Sequence, residues 1–171
     1  MYNKNVCLIP PCMLAPGLQA EAGRENCAWR EPYLRLMLQY QIDMIPYICA
    51  EASFQGYHNG LSRKPHGIDF YRKLEGYEAH CRILGVKCAE EIHALHMGGY
   101  HFLAVLGIEH SPSCAVNYMY THQGMKRMPG MFMAFLKSSM DEHEITIPFI
   151  GINKRYPEKS LNMLEKILKN R

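Results

Sequence analysis

The sequence has no apolar run approaching the roughly 20 residues a membrane-spanning helix needs. Its first apolar stretch, Asn5 to Ile9, stops at Pro10-Pro11 instead of a small-residue cleavage site, so it does not read as a secretory signal. No repeat, low-complexity tract or break in composition divides the chain. Residues 1–171 therefore read as one domain, long enough to bury a core. A concentrated basic face is also missing: the formal charge is only +3, and the lysines and arginines are scattered apart from a lysine-rich C-terminal segment. There is no GxxxxGK[ST] phosphate loop, no HExxH and no paired CxxC knuckle, and Gly98-Gly99 alone is no dinucleotide fingerprint. Together these absences predict a soluble, cytoplasmic protein that binds neither nucleic acid nor membrane.

What is present is an ordinary globular composition, 48% hydrophobic and 20% charged, with seven cysteines. The order of apolar segments alternates between strand and helix. Asn5 to Ile9 reads as a strand that the two prolines terminate. Glu31 to Ile42 has helical spacing, with Pro32 suited to a first turn. Met44 to Ile48 reads as a second strand, Ala50 to about Ile68 as a long loop rich in Gly, Ser, His, Asn and Pro, and Tyr77 to His96 as the longest helix. Phe102 to Ile108 is the clearest strand, apolar throughout as in a strand buried on both faces. A helix from Pro129 to about Met140, a fourth strand over Ile145 to Ile150 and a last helix after Pro157 complete the pattern. This order predicts an α/β fold: three layers, a mostly parallel four-stranded sheet with helices on both faces, Rossmann-like or flavodoxin-like.

In such a fold ligands bind beyond the carboxyl ends of the strands. Cys12 follows the first strand, Cys49 the second and Cys114 the third, so the predicted topology carries all three to one sheet edge. Cys7 lies inside a strand, and Cys81 and Cys88 share one helical face, as core residues would. Cys27 is ambiguous. An odd count in a reducing compartment argues against disulfides. Three converging thiolates can hold an iron–sulfur cluster or zinc, and the plain alternative is a coincidence in a cysteine-rich chain. His93 and His96 on one helix, with His101 and His110 around the third strand, form a rival zinc reading. The methionines from Met125 to Met133 read as core and loop packing.

Three motifs, taken in order, carry a family resemblance. Pro10-Pro11-Cys12-Met13-Leu14 follows the first strand. Cys49-Ala50-Glu51 is followed by Gly60-Leu61-Ser62-Arg63-Lys64-Pro65. Ser111-Pro112-Ser113-Cys114 follows the buried strand. In these segments the chain resembles the thiouracil desulfidase-like family, small domains that carry a cluster on three cysteines. It departs from the family pattern at Ala50, where a proline is usual, at Ala115, where a glycine is usual, and at Gly17 to Glu21, where Tyr-Asp-Gly is expected.

The resemblance implies a [4Fe-4S] cluster on Cys12, Cys49 and Cys114 and a small thiolated substrate such as a thionucleobase. The implied reaction is hydrolytic C–S cleavage. Such chemistry needs a titratable group beside the cluster, and Glu51 is the natural candidate, with helix capping or pairing to Arg63 as its plain alternative. Ser111 can share the catalytic work, and Ser113 can hydrogen-bond cluster or substrate, although Ser-Pro-Ser is also common turn chemistry. Asn117, with Tyr118 beside it, is a candidate for reading a nucleobase edge. A non-catalytic iron–sulfur or zinc module for sensing or sulfur handling, and a metal-free small-molecule binder, are the alternatives.

Overall fold

Strand β1 (Asn5–Ile9) is buried from Val6 onward and pairs in parallel on both sides, with β2 (Asp43–Pro46) and with β3 (His101–Ile108). A strand flanked on both sides and covered on both faces has no polar register to keep, which is why its sequence is a plain apolar run. Strand β6 (Phe149–Ile152) pairs with the outer side of β3, again in parallel, giving the sheet order β2-β1-β3-β6. Pro46 opposes Ile9 at the sheet edge, where a missing N–H costs no ladder bond. The computed structural model describes residues 4–19, 27–57 and 66–171.

Helices cover both faces. Helix α1 (Glu31–Gln39) buries Tyr33 and Met37, one turn apart, and packs on α6 (Glu158–Lys169), where Tyr33 Oη meets Ser160 Oγ at 2.6 Å. On the other face α4 (Tyr77–Met97) lies along α5 (Met131–Glu142). Helix α4 turns Tyr77, Cys81, Cys88, Ala89 and Ile92 inward along one stripe, the arrangement expected from the helical spacing of its two cysteines. The architecture is the three-layer α/β fold with a parallel four-stranded sheet. Among the described residues no helix is long and apolar enough to cross a membrane.

Local differences from the sequence reading have physical causes. The fourth strand begins at Phe149, later than the Ile145 to Ile150 reading, because Pro148 has no N–H to give; its carbonyl instead accepts from Val105 N at 2.9 Å. The segment read as one loop opens with a short helix, α2 (Ala50–Gln55), and ends where another, α3 (Ile68–Arg72), begins. Residues 58–65, including the Gly60-Leu61 to Pro65 motif and Arg63, lie outside the described residues, as do Ala20 and Glu21. A hairpin of β4 (Tyr118–Thr121) and β5 (Gly124–Arg127) follows the third cysteine and had no counterpart in the reading.

The chain leaves β1 toward β2 on one side and returns to β3 on the other. The loops after β1 and β3 therefore part in opposite directions. That switch in strand order opens a crevice at the carboxyl edge, and Cys12 and Cys114 flank it.

Candidate functional site

Each of the three cysteines is held by a different local device. Cys12 occupies a single 3-10 turn, Pro11–Met13, closed by Met13 N to Pro10 O at 2.9 Å and anchored by the fully buried Met13. The Arg30 guanidinium clamps the same turn by donating to the carbonyls of Met13 and Leu14. Cys49 caps α2, its sulfur accepting from Ala52 N at 3.4 Å. Cys114 ends a tight turn in which Ser111 Oγ accepts from the backbone N–H groups of Ser113 and Cys114.

The Cys114 turn is wedged between two glycines. A Cβ on Gly107 would stand 2.1 Å from Cys114 O, and one on Gly130 would stand 2.3 Å from Ser113 O. Neither position admits a side chain. With Gly130 bare, the start of α5 reaches the turn and donates Met131 N to Pro112 O and Met133 N to Ser113 O, at 2.9 and 3.0 Å.

Cys12, Cys49 and Cys114 line one cavity of about 330 Å³ at the carboxyl edge of the sheet. Their proximity also registers in their electrostatics. Burial pushes the Cys12 thiol up, and a charge on Cys114 adds to it; Lys154 pulls it down, and Cys49 and Glu51 raise it further. Burial likewise raises Cys114, and the neighbouring Ser111 hydroxyl opposes the rise. The buried Tyr47 hydroxyl, which donates to Leu106 O at 3.0 Å, is raised first by burial and then by all three sulfurs, Cys114 most and Cys49 least.

Glu51 lines the same cavity from the first turn of α2. Its Oε1 accepts from Ser111 Oγ at 3.0 Å and Ser113 Oγ at 2.9 Å, and its Oε2 accepts from the fully buried Tyr71 Oη at 3.2 Å. Each hydroxyl has one proton to give. With both serine protons committed to Glu51, the 3.2 Å contact between the two serine oxygens carries none. Helix α2 is fixed from behind by Ser53 Oγ, which donates to Cys49 O and meets His80 Nε2, both at 2.8 Å. Placing the carboxylate against the Cys114 turn thus involves α2, α3, α4 and the loop after β3.

Asn117 does not line the cavity. Its Nδ2 donates to Glu109 Oε1 at 2.7 Å, and the backbone N–H groups of Asn117 and Tyr118 also donate to the Glu109 carboxylate. Cys27 lies by α1 on a different cavity, and no disulfide joins any of the seven cysteines. His93, His96 and His101 gather with His143 around a separate cavity. Sequence reasoning did not find Tyr47, Tyr71, Glu109 or Lys154, and none sits in a motif that marks it.

Among the described residues, no group of three or more His, Cys, Asp or Glu side chains is arranged to hold a metal ion. A closed zinc shell needs sulfurs about 2.3 Å from one centre. Three thiolates on three different irons of one cluster stand farther apart. Comparison with protein-family models, with curated proteins and with solved structures finds no match to this chain in any of the three.

Proposed function

We propose that the protein is an iron–sulfur-dependent desulfidase that removes sulfur from a small thiolated compound, such as a thionucleobase. It belongs, on this reading, to a divergent branch of the thiouracil desulfidase-like proteins and works in the cytoplasm. The observation that carries the reading is one cavity wall with three thiols remote in sequence beside a carboxylate held by two serines.

The donor set suits a [4Fe-4S] cluster. Soft thiolates are the usual ligands of such clusters, and three of them leave one iron without a protein ligand. When bound, the cluster supplies a Lewis-acidic iron for a thiocarbonyl sulfur. The chain's own residues do the rest. Tyr47, Phe132, Pro10 and Ile108 give the cavity apolar walls that take a flat heterocycle and exclude bulk water. Glu51 takes a proton from the attacking water at the thiocarbonyl carbon, and Ser111 hands a proton onward from the same carboxylate oxygen. The balance is a thiocarbonyl and water in, a carbonyl and hydrogen sulfide out.

The test is anaerobic. Protein reconstituted with iron and sulfide should carry about four irons per chain, absorb broadly near roughly 400 nm and release sulfide from 2-thiouracil. Iron loading without sulfide release would instead favour a sensing or sulfur-handling module. Failure to load iron would end the proposal.

A further inference from the structure

His110 stands on the cavity wall in a backbone conformation that a side chain makes costly. Its φ is +69°, in the left-handed region where non-glycine residues are uncommon and gather at functional sites. The turn itself needs no imidazole: the backbone makes it, His110 N donating to Tyr118 O at 2.9 Å. Glycine would make the same turn without strain, so the ring needs its own explanation.

The ring lies against Tyr120, with centroids 4.6 Å apart and planes 30° apart. Nδ1 is buried without a partner. A proton on Nδ1 would be a buried donor with nothing to receive it, the rarer and costlier kind of orphan. The proton of the neutral imidazole therefore belongs on Nε2. Nε2 has no hydrogen bond to a described residue and, unlike Nδ1, keeps accessible surface. A residue of the cavity wall thus carries one donor without a partner among the described residues, on a ring stacked against Tyr120.

We propose that His110 is a specificity-determining residue whose Nε2–H donates to a second acceptor on the bound heterocycle. This deepens the desulfidase reading and rests on it. The substrate class narrows to thiocarbonyl heterocycles that carry another carbonyl oxygen away from the reacting carbon.

The experiment measures binding of two unreactive product analogues by calorimetry. Uracil has the second carbonyl; benzamide has only the one at the reacting position. His110→Gly should weaken uracil about tenfold, the worth of one hydrogen bond, and leave benzamide within about twofold. Its melting temperature should be unchanged or higher, because the strain is gone. His110→Asn, a residue type that tolerates the left-handed region, repeats the comparison should the glycine variant fail to fold. Equal losses for both ligands, no loss for either, or no uracil binding by the wild-type protein would overturn the proposal. Iron content of the same samples reports separately on the desulfidase reading, so the two can fail independently.

Discussion

Ser113 Oγ donates to Glu51 Oε1 at 2.9 Å across 62 positions of sequence, tying the turn that carries Cys114 to the helix that Cys49 caps. One hydrogen bond thus couples two of the three candidate ligands, and the carboxylate that receives it faces the cavity. Glu51→Gln keeps the shape but cannot take up a proton as a carboxylate does. Sulfide release should fall about 10²- to 10⁴-fold while iron content and the absorption spectrum stay as in wild type. Ser113→Ala removes a buried donor and should cost about 1–2 kcal/mol in urea unfolding. Unchanged turnover in Glu51→Gln would remove the carboxylate from the chemistry.

Replacing Cys12, Cys49 or Cys114 singly with Ser should each lower iron bound after anaerobic reconstitution to well under half the wild-type content. Cys27 lines a different cavity beside α1, so Cys27→Ser should load iron normally and is the control. Iron analysis of the four variants side by side separates ligands from bystanders. Equal loading in all four would leave the three cavity thiols without a metal role.

Legibility in the sequence followed the hydrophobic signal. β1, β3 and α4 stand out because burial on one or both faces forces an apolar run or stripe. The β4–β5 hairpin leaves no such trace: β5 is exposed at all four positions and β4 buries only Met119. At the site, topology places the three cysteines at one edge, since each follows a strand. Tyr71 and Lys154 reach the same region from α3 and from the loop after β6, and no spacing rule connects them to Glu51 or Cys12. The sequence singles out His110 only within the histidine zinc reading; its place on the cavity wall and its backbone angle leave no mark there.

Gly130→Ala should damage the Cys114 turn specifically. The new Cβ would fall 2.3 Å from Ser113 O and 2.8 Å from Ala115 N, backbone atoms that cannot swing aside. Either α5 retreats or the turn does, at about 2–3 kcal/mol. For a chain of this size that is a drop of about 5–10 °C in melting temperature, with iron loading reduced in parallel. A variant that melts and loads as wild type would mean the two segments are less tightly wedged than the geometry implies.

Two buried thiols outside the cavity contribute to the loss of stability at alkaline pH. Burial pushes Cys7 and Cys88 each from the ordinary 9.0 up to about 12. Between those values the folded chain keeps protons that the unfolded chain has released, so unfolding is favoured as pH rises. Their contribution is complete below pH 9 and is lost through the window up to about 12, at no more than about 1.4 kcal/mol per pH unit for each thiol. Urea unfolding at pH 8, 9.5 and 10.5 should show the wild-type protein losing stability steadily. Cys88→Ala, though weaker at pH 8 because it leaves a small cavity, should lose less on going to pH 10.5. Parallel slopes for the two proteins would mean that the Cys88 thiol titrates no differently in the folded chain than in the unfolded one.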